Sequence, residues 1–530
     1  DAELYNADLT SVTFDGPIVT RAKFGGANLT DFSLLSPATT PVRELTEVFR
    51  LHPIASRDDA ERYLYFAEAI PFVIERIQSG LEERRQRGYV APREMVESAL
   101  AFYRGLRSLG PRGPWALDSS RASVLDSTAR VAFREELALI TTLRIVPSLD
   151  SLITYLGQTY LPEASARPGL WQYPGGKELY RHLLRRYSSL DVAPEEAHRV
   201  GLGELRRIDS TMAALRRRQK WNPNAVAFRD SLLRVASPAP SLDVVIAAMA
   251  AREKALDSRL ATQFVRVPSR PPVIRAATPA EALLWPDGVY LPPTGIDTSG
   301  HLLLTDRWRQ PAFRVPLAAR TFRFLLPGHH LEAALIHGDT TMQVLRRLMD
   351  TPGFTDGWSQ YAASLAGEMG MYDDPLDAYA RLLDEGASMA LLVVDTGIHY
   401  LGWSLTQGAE VLGRYVIAGD DDVERMLVER VVNDPGRSGA GALGAREFAA
   451  MRGWMRGELG SDFDVRRWHA EMLSLGSLPL PIVGTHLEWW LYDVNRRAAE
   501  ARAAAAAAQA VKATKVPRKV PPKKPPPPGS

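Results

Sequence analysis

Apolar residues recur at three- and four-residue spacing over most of the chain from Val42 onward. Between positions 58 and 78 they fall at Tyr63, Phe66, Ile70, Val73 and Ile77, a single stripe that predicts an amphipathic helix. Positions 93–109 and 123–143 carry the same period. Pro194-Glu195-Glu196 predicts a helix start that continues to about 215, because proline fits the first turn and acids there face the positive end of the helix dipole. Another helix is expected over 243–263, after the proline-rich break at 237–240.

The period then shortens. Phe264 to Val267, Gly288 to Pro293 and Gly300 to Thr305 read as short strands between Pro and Gly turns, giving a small sheet at about 264–316. A strand edge in such a place can hold an extended peptide. Helical spacing resumes afterwards and runs to about 497, interrupted by a Gly-rich segment at 435–444. Gly105 to Gly113 and Gly436 to Gly444 are read as loops that lack the strand-to-helix setting of a phosphate cradle. The expected architecture is a mainly α chain whose large helical domain spans 37–497.

Both ends differ from this body. Over 2–36 a five-residue grid places Leu4, Leu9, Phe14, Val19, Phe24, Leu29 and Leu34 at unit centres, with small Ala2, Ala7, Ala22 and Ala27 two places before four of them. The grid resembles pentapeptide repeats, which implies a short β-helical stub over 1–36. Seven units make fewer than two coils, and such a stub needs a stacked neighbour or cap. At the other end, 498–530 is first alanine-rich, expected to be helical if anything contacts it, and from Pro517 rich in lysine and proline, which predicts an extended, polyproline-like tail.

Composition changes this picture in three ways. The formal charge is +2, but Lys512, Lys515, Arg518, Lys519, Lys523 and Lys524 sit in the last twenty residues without an acid; the remainder holds 58 basic and 62 acidic side chains. A nucleic-acid-binding body is therefore not expected. There is no cysteine, so disulfides and thiolate metal sites are excluded. Outside the alanine tail no long uncharged apolar run suggests a membrane span, and the start at Asp1 without a signal pattern is expected of a processed chain or one lacking an upstream part.

Candidate chemistry concentrates in Arg323-Phe-Leu-Leu-Pro-Gly-His-His-Leu-Glu332. Two histidines behind a Pro-Gly turn, heading an apolar helix expected over 327–348, look like half of a metallohydrolase site. A zinc peptidase also needs a further ligand and a carboxylate base, and the positions ahead of the turn hold Arg323 and Phe324, which can neither ligate a cation nor accept a proton. No nucleophile elbow or nucleotide-binding loop stands out elsewhere.

Pro327-Gly-His-His-Leu-Glu332 resembles the Pro-Gly-His-His-Leu-Gln signature of the bacterial domain-of-unknown-function 885 family, helical and similar to zinc metallopeptidases. Further landmarks follow in order: Asp356-Gly-Trp-Ser-Gln-Tyr-Ala362, Glu368-Met-Gly-Met-Tyr372, Val393-Val-Asp-Thr-Gly-Ile-His399, Gly402-Trp-Ser404, Trp468-His469 and Gly476-Ser-Leu-Pro-Leu480. The resemblance covers about 50–495. It implies a metallopeptidase-like helical domain in which a His-Glu pair would stand where Arg323 and Phe324 are. It also implies an arginine near Leu391-Leu392, a tyrosine-lysine pair at Gly441-Ala442 and a glutamate at Asp356.

The chemistry-bearing positions are thus replaced while the packing motifs remain, which is the pattern of a pseudoenzyme with no catalytic residue, metal or other cofactor. His329, His330, Asp356, Asp395 and His399 form the expected vestigial site. The alternative is an active zinc hydrolase with His329, His330 and Asp356 as ligands and Glu332 as base; His337, two turns beyond His330, lies too far along the helix to join them. Asp395 and His399, one turn apart, are expected to share a structural hydrogen bond, with an acid–base pair as the alternative. The six basic tail residues are the expected partner-binding groups. They and the open-ended stub imply other protein subunits, an anionic membrane surface as a further contact, and a periplasmic or other extracytoplasmic location, with the cytoplasm as the alternative.

Overall fold

The computed structural model describes residues 32–117, 121, 125–294 and 298–514. The first six units of the five-residue grid lie outside them, as do tail residues Lys515, Arg518, Lys519, Lys523 and Lys524. The last grid unit departs from a β-coil. Leu35 and Ser36 turn back onto the Phe32 carbonyl, and Phe32 and Leu35, rather than the unit centre Leu34, enter the helical core.

The chain is mainly helical with one three-stranded sheet. The predicted helix at 58–78 extends to Arg57–Gln86; its buried face is Tyr63, Ala67, Ile70, Ile74, Ile77 and Leu81, and Ser56 caps its start by accepting from the Asp59 amide. Arg93–Leu109 and Pro194–Arg218 follow their predicted starts. Gly105 lies inside the first of these rather than in a loop, because its bare Cα faces the Leu283 side chain.

The run Ser127–Glu163 is, among the described residues, the one helical stretch long and apolar enough by length and composition to cross a membrane, which the uncharged-run criterion missed. In this fold its stripe of Phe133, Leu137, Ile140, Ile145, Leu149, Leu152, Leu156 and Tyr160 is buried in the core.

The sheet has the order β1 (Val273–Ala276), β3 (His301–Leu304), β2 (Val289–Leu291). β1 is parallel to β3 and β2 antiparallel to it, with Tyr290 opposite Leu302. The expected strand at 264–267 does not form. Phe264 instead bonds back to Leu260 at the end of the Leu242–Leu260 helix, and its ring stacks on His469 at 4.9 Å; burial in the core outweighs its β propensity.

Two packings fix the rest. The Pro352–Glu368 and Ala440–Leu459 helices cross closely because Gly353 and Gly357 meet Gly444; a Cβ on Gly444 would stand 1.8 Å from the Gly353 carbonyl oxygen. Positions 440–444 are therefore helix, not loop. Pro375–Thr396 packs on Pro194–Arg218, where Gly201 receives Val393. The last helix, Leu480–Thr514, runs unbroken past the expected boundary at 497.

Candidate functional site

The Leu317–Phe324 helix ends at the Pro-Gly turn, and a new helix begins at His329. Gly328 is required there: a Cβ would lie 1.9 Å from the Arg323 carbonyl oxygen. Trp358 ties the turn to the Pro352–Glu368 helix by donating its indole N–H to the Pro327 carbonyl at 3.2 Å. The expected single helix over 327–348 is two, His329–Gly338 and Val344–Leu348. Between them the Asp339 carboxylate accepts from the Thr341 amide and hydroxyl at 2.9 and 2.6 Å, a local turn that competes with helix continuation.

The two histidines have different surroundings. His330 is fully committed. The Tyr290 hydroxyl lies 2.8 Å from its Nδ1 and the Arg270 carbonyl 2.9 Å from its Nε2. A carbonyl only accepts, so Nε2 carries the proton and Nδ1 accepts from tyrosine. His329 is held between rings, stacked on Tyr290 at 6.2 Å and tilted against Phe324 at 5.7 Å. Its Nε2 faces Asp356 Oδ1 at 3.6 Å. Burial lowers its pKa to about 4, with Asp356 opposing and Arg323 assisting the shift, so the imidazole is neutral at pH 7.

One cationic side chain reaches this point and a second turns away from it. Arg437 places Nη2 3.8 Å from Asp356 Oδ2 and Nε 3.8 Å from Asp434. Burial would lower its pKa, but Asp356, Asp350 and Asp434 outweigh that and raise it. Arg323 turns away to Asp384, 3.5 Å distant, which Arg320 also approaches at 3.4 Å. Glu332 is buried at 3% exposure. Burial, then Asp350 and Asp356, raise its pKa to about 8, so it is protonated at neutral pH.

With His330 saturated by hydrogen bonds, the sequence-derived ligand set reduces to His329 and Asp356. Among the described residues no group of three or more His, Asp or Glu side chains is placed to hold a metal ion. These residues do not fit a zinc ion, which takes three or four protein ligands.

Asp395 and His399 lie in a separate buried pocket of the fold. Their closest approach is 3.9 Å, and each is satisfied elsewhere. Asp395 accepts from the Gly436 amide at 3.0 Å and the Tyr180 hydroxyl at 3.0 Å. His399 Nδ1 accepts from the Leu170 amide and Nε2 donates to the Val431 carbonyl. Burial raises Asp395 to about 8 and lowers His399 to about 4. The turn at 435–437 joins both places: Gly436, at φ +85°, gives its amide to Asp395, and Arg437 reaches Asp356. Only glycine adopts that φ freely.

Sequence reasoning placed His329 beside Asp356 but missed Tyr290 and Arg437. Arg437 is the one charged residue of the Gly-rich segment at 435–444, and that was the available signal; nothing local marks Tyr290. Lys512 lies in the last turns of the terminal helix.

A family model described as "Bacterial protein of unknown function (DUF885)" matches residues 6–487. The chain belongs to this family. The DUF885 fold is shared with two solved structures. The putative lipoprotein from Colwellia psychrerythraea superposes with a TM-score of 0.79 at 20% identity, covering 87% of this chain and 81% of the other. A putative lipoprotein of unknown function from Shewanella oneidensis gives a TM-score of 0.62 at 14% identity, covering 87% and 84%. Among curated proteins none matches.

Proposed function

We propose that this DUF885 protein is a catalytically degenerate, metallopeptidase-like subunit with a structural or accessory role in a larger bacterial assembly outside the cytoplasm. The observation that carries this reading is the approach of Arg437 to Asp356 at 3.8 Å: a guanidinium lies where a peptidase of this kind would concentrate positive charge on a metal. An arginine neutralises the carboxylate but supplies no Lewis acid and no activated water. Phe324 fills the position of the expected base with a ring packed on Trp308, and Gly441 leaves only a backbone beside Asp356 and Gln360. The histidines then act as packing and hydrogen-bonding groups. Support for an extracytoplasmic place comes from the two structural neighbours, both putative lipoproteins. The six basic residues of the tail suit an acidic protein face or anionic lipid.

The competing reading, a zinc hydrolase with a variant site, draws on the closeness of His329 to Asp356 and on the protonated Glu332 beside them. Elemental analysis and peptide hydrolysis by the purified chain decide between them. The proposal expects substoichiometric zinc and no hydrolysis. Stoichiometric zinc lost in His329→Ala, accompanied by hydrolysis, would overturn it. Co-purification from the native source, with and without residues 515–530, tests the accessory role; no associated protein in either case would refute it.

A further inference from the structure

The segment joining the Leu242–Leu260 helix to β1 carries strand-forming residues with which none of the three strands pairs. Phe264 is buried, Val265 and Val267 are 54% and 46% exposed, and Arg266 between them is exposed. Among the described residues, the main-chain N–H and C=O groups of Val265, Arg266 and Val267 make no hydrogen bond. The segment is nevertheless anchored on both sides. The Gln263 carbonyl accepts from His469 and the Phe264 amide donates to the Leu260 carbonyl, while the Arg270 carbonyl accepts from His330. Valine favours extended backbone, and a row of open donors and acceptors is a template on which another strand can pair.

A crevice opens beside the same segment. Its floor is apolar, with Phe264, Met342 and Leu473 buried, and its volume, mouth included, is about 390 Å³. Arg266 and Asp339 are the charged residues that line it, so it carries no net charge. It is not the vestigial site: Asp339 lies ten residues beyond His329, about 15 Å along the helix axis.

We propose that segment and crevice together form a docking groove for an extended stretch of a partner polypeptide, which pairs with Val265–Val267 and lowers one large apolar side chain into the crevice. Two complementarities select this occupant. Consecutive open main-chain groups are matched by another extended main chain, whereas a helix has spent its donors and acceptors on itself. Alternate side chains of a strand point to opposite faces, so one can fill the apolar floor while the main-chain bonds continue along the rim. The absence of net charge in the lining favours a neutral, apolar anchor over an ionic one. The inference deepens the accessory role proposed above and rests on it only for the source of the stretch. Binding is read on the purified chain, so failure of the groove and failure of that role are separate results.

The probe is a phage-displayed library of random short linear peptides, panned on the full-length chain, with the enriched peptides synthesised and titrated by fluorescence anisotropy. The proposal expects enriched peptides with a single large apolar residue, whose binding falls about tenfold or more in each of two variants. Val267→Pro removes a main-chain donor, and Ser474→Trp, from an exposed position on the crevice wall, fills the crevice with its own ring. Both lie at the surface, and thermal transitions matching the parent show that the body is intact. Bound peptide should also slow amide hydrogen exchange over 265–267 about tenfold or more, which an occupant of the crevice alone would not do. Failure to enrich any peptide overturns the proposal, as does binding that survives both substitutions or leaves exchange at 265–267 unchanged. Self-association of the chain that Val267→Pro abolishes would place a second copy in the groove and overturn it as well.

Discussion

Arg437 approaches one oxygen of Asp356 at 3.8 Å while His329 faces the other at 3.6 Å. A half-exposed arginine and a neutral imidazole thus share a carboxylate, and the same turn hands the Gly436 amide to Asp395. The turn at 435–437 is a strut between a partly buried acid, Asp356, and a fully buried one, Asp395.

Replacing Arg437 with methionine should therefore destabilise the fold by about 1–2 kcal/mol, the lower end of the cost of stripping a partner from a partly buried carboxylate, since Asp356 keeps some solvent contact. Urea denaturation checks this. An effect no larger than that of Arg57→Ala, in the exposed pair with Glu61, would remove the strut.

Restoring the missing chemistry is the sharper test. Arg323→His combined with Phe324→Glu should raise zinc affinity at least tenfold in calorimetric titration, and adding Arg437→Gln should raise it further. Like charges about 4–5 Å apart cost a few kcal/mol at an effective dielectric of about 20. If the double variant binds zinc no better than the parent, the metal site proposed from the motif resemblance cannot be rebuilt in this backbone.

His330 stitches three segments through both ring nitrogens. His330→Ala leaves the Tyr290 hydroxyl and the Arg270 carbonyl without this partner and opens a cavity, for a cost of about 2–4 kcal/mol. Tyr290→Phe removes one of the two bonds and should cost about 1 kcal/mol. In a double-mutant cycle the two effects should be strongly non-additive; simple additivity would contradict the shared bond.

Stability should fall as pH rises from about 6.5 to 8. Glu332 and Asp395 titrate near 8 and Glu253 near 7 when folded, each raised chiefly by burial, against about 4 when unfolded. Between those values the folded state holds more protons, so each step upward in pH favours unfolding. His329, His399 and His469 titrate near 4 when folded against about 6.5 unfolded; between those values the unfolded state holds more protons, and rising pH favours folding. The two slopes oppose each other up to about 6.5, above which only the carboxyls act. The expected loss is on the order of 2–4 kcal/mol. Glu332→Gln, a neutral isostere, should remove roughly a third to a half of it in denaturation curves at about pH 6.5 and 8, and a rise in stability over this interval would contradict the assignment.

Gly444→Ala should be among the most damaging small substitutions, at about 3 kcal/mol or more, because the new methyl meets the Gly353 backbone rather than a flexible side chain. Gly453→Ala, on the same helix with open space at its Cβ, should be neutral or slightly stabilising. Circular-dichroism melting of the two variants separates packing from propensity.

What the sequence determined by itself was local. The stripe from Tyr63 to Ile77, the acids after Pro194 and the Pro-Gly turn before His329 specify helices and their starts, because spacing, caps and dipole act within a few residues. The ordered motifs carried the relation between His329 and Asp356. What only the tertiary structure decided were choices made by partners distant in the chain. Phe264 left its expected strand for the face of His469, some two hundred residues away. Gly105 and Gly441 became helix because a neighbouring element needed the space of a side chain. Arg437 acquired its role from Asp356 and Asp434, and His330 its fixed tautomer from Tyr290 and Arg270. A periodic pattern reports which face of an element is apolar; the identity of the group that face meets is a property of the packed chain, and the chemistry of this site depends on that second quantity.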